Sequence, residues 1–385
     1  MNIGILTHHW VFNYGANLQT LSTVSFLKKH GHNPFVINWV QEDAEGYYYE
    51  TTTPEMVEMF RGFQKNHYPL TDICRNSRDI ADVIKKYNIE YVVIGSDTVW
   101  MLRKFMAMSE SVFPNPFWGE FLDYGANVPV TAYSAATLDI VLRDFEDEKK
   151  KIGIYLNRFR FISTRDKYTS EMVAYFTDNS IVPAITPDPV FSFNSNYPQA
   201  ITREEFLNKY NLPEKYLLVC FAEGYANKSR EFVDALNIKA RSAGYDLFEL
   251  PRQTGNRIFD IQQINEHINP IEWYNLIRFS NGYVGQLMHP IVISIHNAVP
   301  FYSLDQYGTQ RYRRIYVKKE TSKTYQLIKQ IGRLKQYRNI SGLFSKLPSA
   351  SHVLNTIINS SKESDIAIAN TINSFSDESM KSIIK

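Results

Sequence analysis

The sequence predicts an α/β protein of two Rossmann-like domains facing a cleft, followed by a C-terminal helical tail. Three observations predict it. Short apolar runs that read as buried strands alternate with stretches of helical period along most of the chain. The alternation comes in two successive series, with a linker expected near Phe193–Thr202. The length of 385 residues, 44% hydrophobic and 21% charged, suits two folded domains. The expected boundaries are 1–193 and 194–335 for the domains and 336–385 for the tail.

Asn2–Leu6 reads as a buried first strand. Leu18, Leu21, Val24, Ser25 and Leu27 recur at helical spacing, Gly31 sits where a helix C-terminus wants it, and Phe35–Ile37 is the next strand. This is a βαβ unit, which implies parallel strands. Ile80–Tyr87 reads as a helix, and Tyr91–Ile94, Val130–Ser134 and Phe161–Ser163 as strands. Thr169 caps a helix over Ser170–Phe176. The second series begins with a strand at Leu217–Phe221, a helix at Ser229–Ala243 stopped by Gly244, and a strand at Leu247–Leu250. A helix over Pro270–Phe279, a strand at Tyr283–Gly285, a helix over Met288–His296 and a last strand at Pro300–Tyr302 complete it. Beyond Lys335, Ser/Asn/Lys-rich segments alternate with apolar stretches such as Val353–Ile358 and Ile366–Ile372, which reads as a peripheral, partly ordered tail.

Several chemistries are excluded. Two cysteines, Cys74 and Cys220, make neither a disulfide framework nor a four-cysteine zinc site, and they place the chain in a reducing compartment. There is no P-loop, no GxGxxG after the first strand, and no HExxH, CxxC or GxSxG. His8 and His9 are adjacent and point to opposite sides of a strand, so no metal is expected. No apolar run is long enough to span a membrane, and the first residues do not read as a signal peptide. The net charge is +2, yet residues 311–346 hold eleven Lys/Arg and one acid, Glu320, which leaves the rest acidic. That segment points to an anionic surface or ligand, its plainer reading being a solvated face.

The chemistry-bearing residues fall in loops at strand C-termini, where α/β domains bind ligands. Asn13, Tyr14, Gly15 and Gln19 open the first helix, whose N-terminus favours an anion. Ser96 and Asp97 follow the Tyr91–Ile94 strand, with Asp97 a base or a helix cap. Arg165 follows another strand end and can fork onto a carboxylate or phosphate; its plainer reading is a salt bridge to Asp166 or another acid. His289 begins a helix, where the dipole favours neutral imidazole and a bound phosphate restores the charge, which suits a general acid. Trp10, Trp100 and Trp118 are candidate sugar-stacking rings, or core.

Together these motifs resemble the polysaccharide pyruvyl transferase family over roughly residues 1–335. Asn13-Tyr14-Gly15-Ala16 with Leu18-Gln19 resembles its opening motif, and Gly95-Ser96-Asp97-Thr98-Val99-Trp100 its GSDQIW. Tyr133–Ala136, Ser163–Asp166, Asp188-Pro189-Val190, Pro270–Glu272, Gln286–His289, Pro300-Phe301 and Ser322–Ile328 are similar to its later segments, in the family's order. Two positions depart: Leu287 stands where some members have Arg, and Pro290 where most have Gly.

The resemblance implies a GT-B-like fold and transfer of pyruvate from phosphoenolpyruvate onto sugar hydroxyls as a ketal. It implies that Arg165 holds the phosphoenolpyruvate anion and that His289 is the family's histidine. The chemistry then makes His289 the acid and Asp97 the base, with Asn13, Tyr14, Gly15, Gln19, Ser96, Arg313 and Lys323 binding substrate. Arg311, Arg313, Arg314, Lys319 and Lys323 are the cations offered in place of the Arg missing at Leu287. No cofactor is implied, because phosphoenolpyruvate is a co-substrate. The expected partners are phosphoenolpyruvate, a sugar acceptor on polyprenyl phosphate and, through 311–346, an anionic membrane; nucleic acid is not expected. The expected place is the cytoplasm, peripheral on the inner face of the membrane. The rival readings are a GT-B glycosyltransferase using a nucleotide sugar and a catalytically dead scaffold of polysaccharide assembly.

Overall fold

The computed structural model describes every residue except 105–107, 139, 265–266, 312–314 and 385. Arg313 and Arg314 therefore lie outside the described residues. The chain divides into two compact units, Met1–Pro198 with Ser374–Lys385, and Gln199–Asn373.

In the first unit, β1 (Asn2–Leu6), α1 (Tyr14–Lys29) and β2 (Asn33–Trp39) form the expected βαβ unit. Asn13 is the N-cap of α1, its Oδ1 accepting the Ala16 N–H at 3.1 Å, and Lys28 and Lys29 stand in the last turn, where the helix dipole favours cations. There follow α2 (Glu42–Thr51), α3 (Pro54–His67), β3 (Leu70–Cys74), α4 (Ser77–Lys86), β4 (Tyr91–Ile94) and β5 (Val130–Ala135). Then come α5 (Lys149–Leu156), β6 (Phe161–Thr164), α6 (Lys167–Phe176), β7 (Ala184–Ile185) and the short α7 (Phe193–Asn196). The sheet is parallel in the order β3-β2-β1-β4-β5-β6-β7. Helices cover both faces of such a sheet, which is why its central strands read as continuous apolar runs; all of Tyr91–Ile94 is buried.

The second unit repeats the pattern with α8 (Arg203–Lys209), β8 (Tyr216–Cys220), α9 (Ala226–Ser242), β9 (Asp246–Glu249), β10 (Gln262–Gln263), α10 (Pro270–Arg278) and β11 (Tyr283–Gly285). It continues with α11 (Met288–His296), β12 (Phe301–Asp305), a hairpin of β13 (Thr309–Arg311) and β14 (Tyr316–Lys318), and α12 (Lys323–Gln330). β15 (Tyr337–Asn339), α13 (Ala350–Ile358) and α14 (Lys362–Met380) close the chain. Its main sheet is parallel in the order β10-β9-β8-β11-β12-β15. In each unit the strand order reverses once, between β1 and β4 and between β8 and β11. At such a point the connections leave in opposite directions and a crevice opens at the strand C-termini.

The segment after Lys335 departs most from expectation. β15 is the outer strand of the second sheet, not part of a peripheral tail. Val353, Leu354 and Ile357 of α13 are buried with Val233 and Leu236 of α9 in the second core. Each such side chain contributes roughly 1.5–3 kcal/mol by leaving water. Residues Ser374–Lys385 belong to the first unit: Ser376 Oγ lies 2.7 Å from Ser192 Oγ, and Ser195 Oγ donates to Asp377 at 2.7 Å. Helix α6 also starts earlier than expected. Its N-cap is Asp166, whose Oδ1 accepts the Thr169 N–H at 2.8 Å, so Thr169 is the capped residue rather than the cap.

Candidate active site

Four of the residues singled out meet at the C-terminal edge of the first sheet. Gly95 leaves β4 at φ +105°, and a Cβ there would stand 2.5 Å from the Tyr133 carbonyl oxygen, so only glycine fits. It delivers Ser96, whose Oγ donates to the Ser134 carbonyl at 3.0 Å and whose own carbonyl accepts the Thr7 hydroxyl at 2.9 Å. That second bond ties the loop after β1 to the loop after β4. Asp97 follows at φ +85° and accepts the Thr98 N–H at 2.9 Å.

Arg165 is held by its backbone N–H on the Ala135 carbonyl, at 2.9 Å. Its guanidinium forks: Nη1 donates to Asp188 at 3.0 Å and Nη2 to Asp97 at 3.2 Å. Gln19, from α1, donates to the same Asp188 oxygen at 2.5 Å and to Ser96 Oγ at 3.4 Å. The Arg165 side chain is 3% exposed, Asp188 1% and Asp97 15%, so Asp97 is the edge of the cluster that faces outward. Burial lowers the Arg165 pKa, but Asp97, Asp188 and Asp166 more than offset it and hold the guanidinium above its ordinary value. Arg165 Nε is buried without a partner.

Asn13, Tyr14 and Gly15 sit apart from this cluster at the start of α1. Asn13 spends its side-chain oxygen on capping. Tyr14 is a correction: its ring is 3% exposed and packs on Phe60 at 5.0 Å, so it builds the core rather than a binding wall. Trp10, Trp100 and Trp118 take the core alternative of their two readings. All three are at most 1% exposed, and Trp100 and Trp118 stack on each other at 5.6 Å. A ring with both faces in the core offers none to a sugar.

His289 and Lys323 belong to the second unit. His289 is the half-buried second residue of α11, whose N-cap is Leu287, a side chain with no acceptor for first-turn N–H groups. Lys323 opens α12 behind its N-cap Ser322, with its ammonium 6.0 Å from the Tyr307 ring centroid. Ser322 also donates to the fully buried Asp305 at 2.6 Å, and Tyr337 donates to it at 2.7 Å. Burial pushes the Asp305 carboxyl up, with those hydroxyls, the Tyr307 N–H and Lys323 opposing the shift.

Sequence reasoning gave three residues here no site role of their own. Asp188 was read only as part of a motif, yet it shares Arg165 with Asp97. His8 and Glu110 lie 3.5 Å apart beyond β1, with side chains 9% and 12% exposed. Their signal was weak, because a histidine after a strand has no partner until the fold brings residue 110 back.

A family model for polysaccharide pyruvyl transferases matches residues 13–306. The chain belongs to that family. The matched span takes in the Arg165 cluster and His289. No curated protein matches the chain in sequence. Among solved structures, a Listeria monocytogenes protein assigned as a UDP-N-acetylglucosamine 2-epimerase is similar at TM-score 0.59 and 12% identity, over 100% of this chain and 94% of that one. The Neisseria meningitidis UDP-GlcNAc 2-epimerase bound to UDP-GlcNAc gives 0.54 and 11%, over 100% and 98%. A UDP-glucose:anthocyanidin 3-O-glucosyltransferase in complex with UDP gives 0.52 and 10%, over 100% and 98%. These likenesses establish a GT-B fold for this pyruvyl transferase family member. Among the described residues no helix is long and apolar enough to cross a membrane.

Proposed function

We propose that this chain transfers the pyruvyl group of phosphoenolpyruvate onto two hydroxyls of a sugar in a surface-polysaccharide precursor, forming a ketal. The observation that carries the reading is the family match over 13–306. The geometry supports it with a histidine at the N-terminus of α11 and a carboxylate at the edge of the Arg165 cluster.

In the proposed chemistry, His289 donates a proton to the methylene carbon of phosphoenolpyruvate, leaving an oxocarbenium-like centre at C2. One sugar hydroxyl attacks C2 and gives up its proton, for which Asp97 is the proposed base. The C2–O bond to phosphate then breaks and phosphate departs. The second hydroxyl attacks the renewed cationic centre and closes the ring. Over the cycle one hydroxyl proton ends on the new methyl group and the other leaves on phosphate, so protons balance. Arg165 holds Asp97 and Asp188 in place, and Lys323 offers a cation for the donor. The roles of Asn13, Gly15, Gln19 and Ser96 are to shape the loops that carry these groups.

A polyprenyl-phosphate-linked acceptor fits the surface of the basic segment. Lys335, Arg338 and Lys346 are exposed there, and Leu343 and Phe344 stand 59% and 77% exposed among them. Cations beside exposed apolar side chains suit the face of an anionic bilayer.

The test is a thermal-shift titration of the purified chain with phosphoenolpyruvate, beside UDP, GDP and CMP, repeated on Arg165→Lys. A ligand that binds only the folded state raises its melting temperature. Stabilisation by phosphoenolpyruvate and not by nucleotides is the expected outcome. Stabilisation by a nucleotide alone would replace this reading with a nucleotide-sugar glycosyltransferase.

A further inference from the structure

The mouth of the second sheet holds two buried donors that nothing among the described residues satisfies. Gln286 follows β11 at the point where the strand order reverses, and its side chain is fully buried. Its Oε1 accepts the Ala222 N–H at 2.6 Å, which fixes the orientation of the amide, and its Nε2 is then left without a partner. Arg252 follows β9. Its Nη2 pairs with Glu223 at 3.2 Å, its side chain is 12% exposed, and its Nη1 is buried without a partner.

Both donors border one loop. The Gln286 N–H is bonded to the Cys220 carbonyl at 3.1 Å, while the Arg252 charge acts on the Cys220 thiol and opposes the upward push of burial. Ala222, which binds Gln286, adjoins Glu223, which binds Arg252. Glu249 also senses Arg252, and its oxygens are taken by the Ile258 and Phe259 N–H groups and by Gln263. Leu287, directly after Gln286, is the N-cap of α11 and brings no acceptor. A buried N–H left unmade costs roughly 1–3 kcal/mol, and more when the donor is charged. Two such donors bordering one loop, with Gln286 just before the positive end of the α11 dipole, call for an oxygen-rich anion.

We propose that Arg252 and Gln286, with the first turn of α11, form a binding site for an oxyanion, a phosphate or carboxylate group of the ligand. Arg252 supplies the charge and Gln286 a neutral donor of fixed direction. Neither is among the cations the sequence offers for this purpose. That the ligand carrying the group is phosphoenolpyruvate rests on the reading above; the site itself needs only the anion.

The experiment is a thermal-shift and calorimetric titration with inorganic phosphate and, separately, with phosphoenolpyruvate and UDP. It uses the full chain and the variants Arg252→Gln, Arg252→Lys and Gln286→Glu. The last is isosteric, keeps an acceptor for the Ala222 N–H and sets a carboxylate against the anion. The expected result is saturable stabilisation of the wild type by phosphate, weakened at least about tenfold in Kd by Arg252→Gln and by Gln286→Glu and partly retained by Arg252→Lys. If Gln286→Glu does not fold, the Arg252 pair decides. Absence of stabilisation by phosphate, phosphoenolpyruvate and UDP overturns the site, as does wild-type affinity in the Arg252→Gln variant. Phosphoenolpyruvate binding that ignores both residues overturns the site and leaves the pyruvyl reading standing. UDP binding that depends on Arg252, without phosphoenolpyruvate binding, supports the site and overturns the pyruvyl reading.

Discussion

The two units share a strand order but differ at their sheet mouths. In the first, the buried cation Arg165 is spent inside the protein: it is forked between Asp97 and Asp188, and Gln19 secures Asp188 from the other side. In the second, Arg252 gives one arm to Glu223 and keeps another arm unpaired, and Gln286 does the same with its amide. The difference teaches that an Arg at a strand end is not by itself an anion clamp. What matters is whether the fold has already supplied its anions. By that criterion the first mouth presents carboxylate, suited to hydroxyl protons, and the second presents donors, suited to an oxyanion.

The largest expected effect tests the second unit. His289→Ala should lower turnover by roughly 10²–10⁴, the usual worth of a positioned acid, while the protein melts as before. Steady-state phosphate release with phosphoenolpyruvate and acceptor is the readout. Near-normal turnover would take His289 out of the chemistry and reduce α11 to an anion-binding helix. Retained phosphoenolpyruvate stabilisation with lost turnover would sharpen the division, with binding by Arg252 and Gln286 and proton transfer by His289.

The next effect tests whether Arg165 belongs to the fold. Arg165→Met leaves Asp97 and the buried Asp188 uncompensated, which costs about 3–5 kcal/mol. Urea unfolding should show that loss, and Arg165→Met/Asp97→Asn/Asp188→Asn should recover part of it. Unchanged stability in Arg165→Met would break the comparison and return Arg165 to the role of an open clamp.

Much of this was legible before the fold was seen. Tyr91–Ile94 and Leu217–Cys220 are unbroken apolar runs because both faces of a parallel sheet are covered, and Met288–His296 was bounded by its own period. β3 and β15 were not legible. Asp72 and Ile73 of β3 are exposed, and β15 is Tyr-Arg-Asn, so neither edge strand carries an apolar run. Ser96, Asp97, Gln19 and Arg165 were found because loops at strand ends are where ligands bind. Arg252, just past the Leu247–Leu250 run, falls under the same rule but was not singled out, because Glu223 and Cys220 come beside it only in the folded sheet. Asp188 shows the same limit from the other side, for its meaning depends on Arg165, 23 positions away.

The smallest expected effect concerns His9, at the mouth of the first sheet. It is buried, with ring nitrogens 3.1 Å from the Thr7 carbonyl and 3.0 Å from Asn38. Burial lowers its pKa from 6.5 to about 4, against those two bonds and with help from Arg61 and His8. Above pH 6.5 the imidazole is neutral in both folded and unfolded chains, so it gives no pH dependence. As pH falls the unfolded chain takes up the proton first. Stability therefore declines from about pH 6.5 until the folded form also protonates near pH 4, by about 3 kcal/mol in all. Urea midpoints read by tryptophan fluorescence between about pH 7 and pH 4.5 should fall more steeply for the wild type than for His9→Gln, which removes the titrating group. Parallel curves would mean that protons reach His9 in the folded chain. The first mouth would then be open to water and lose its contrast with the second.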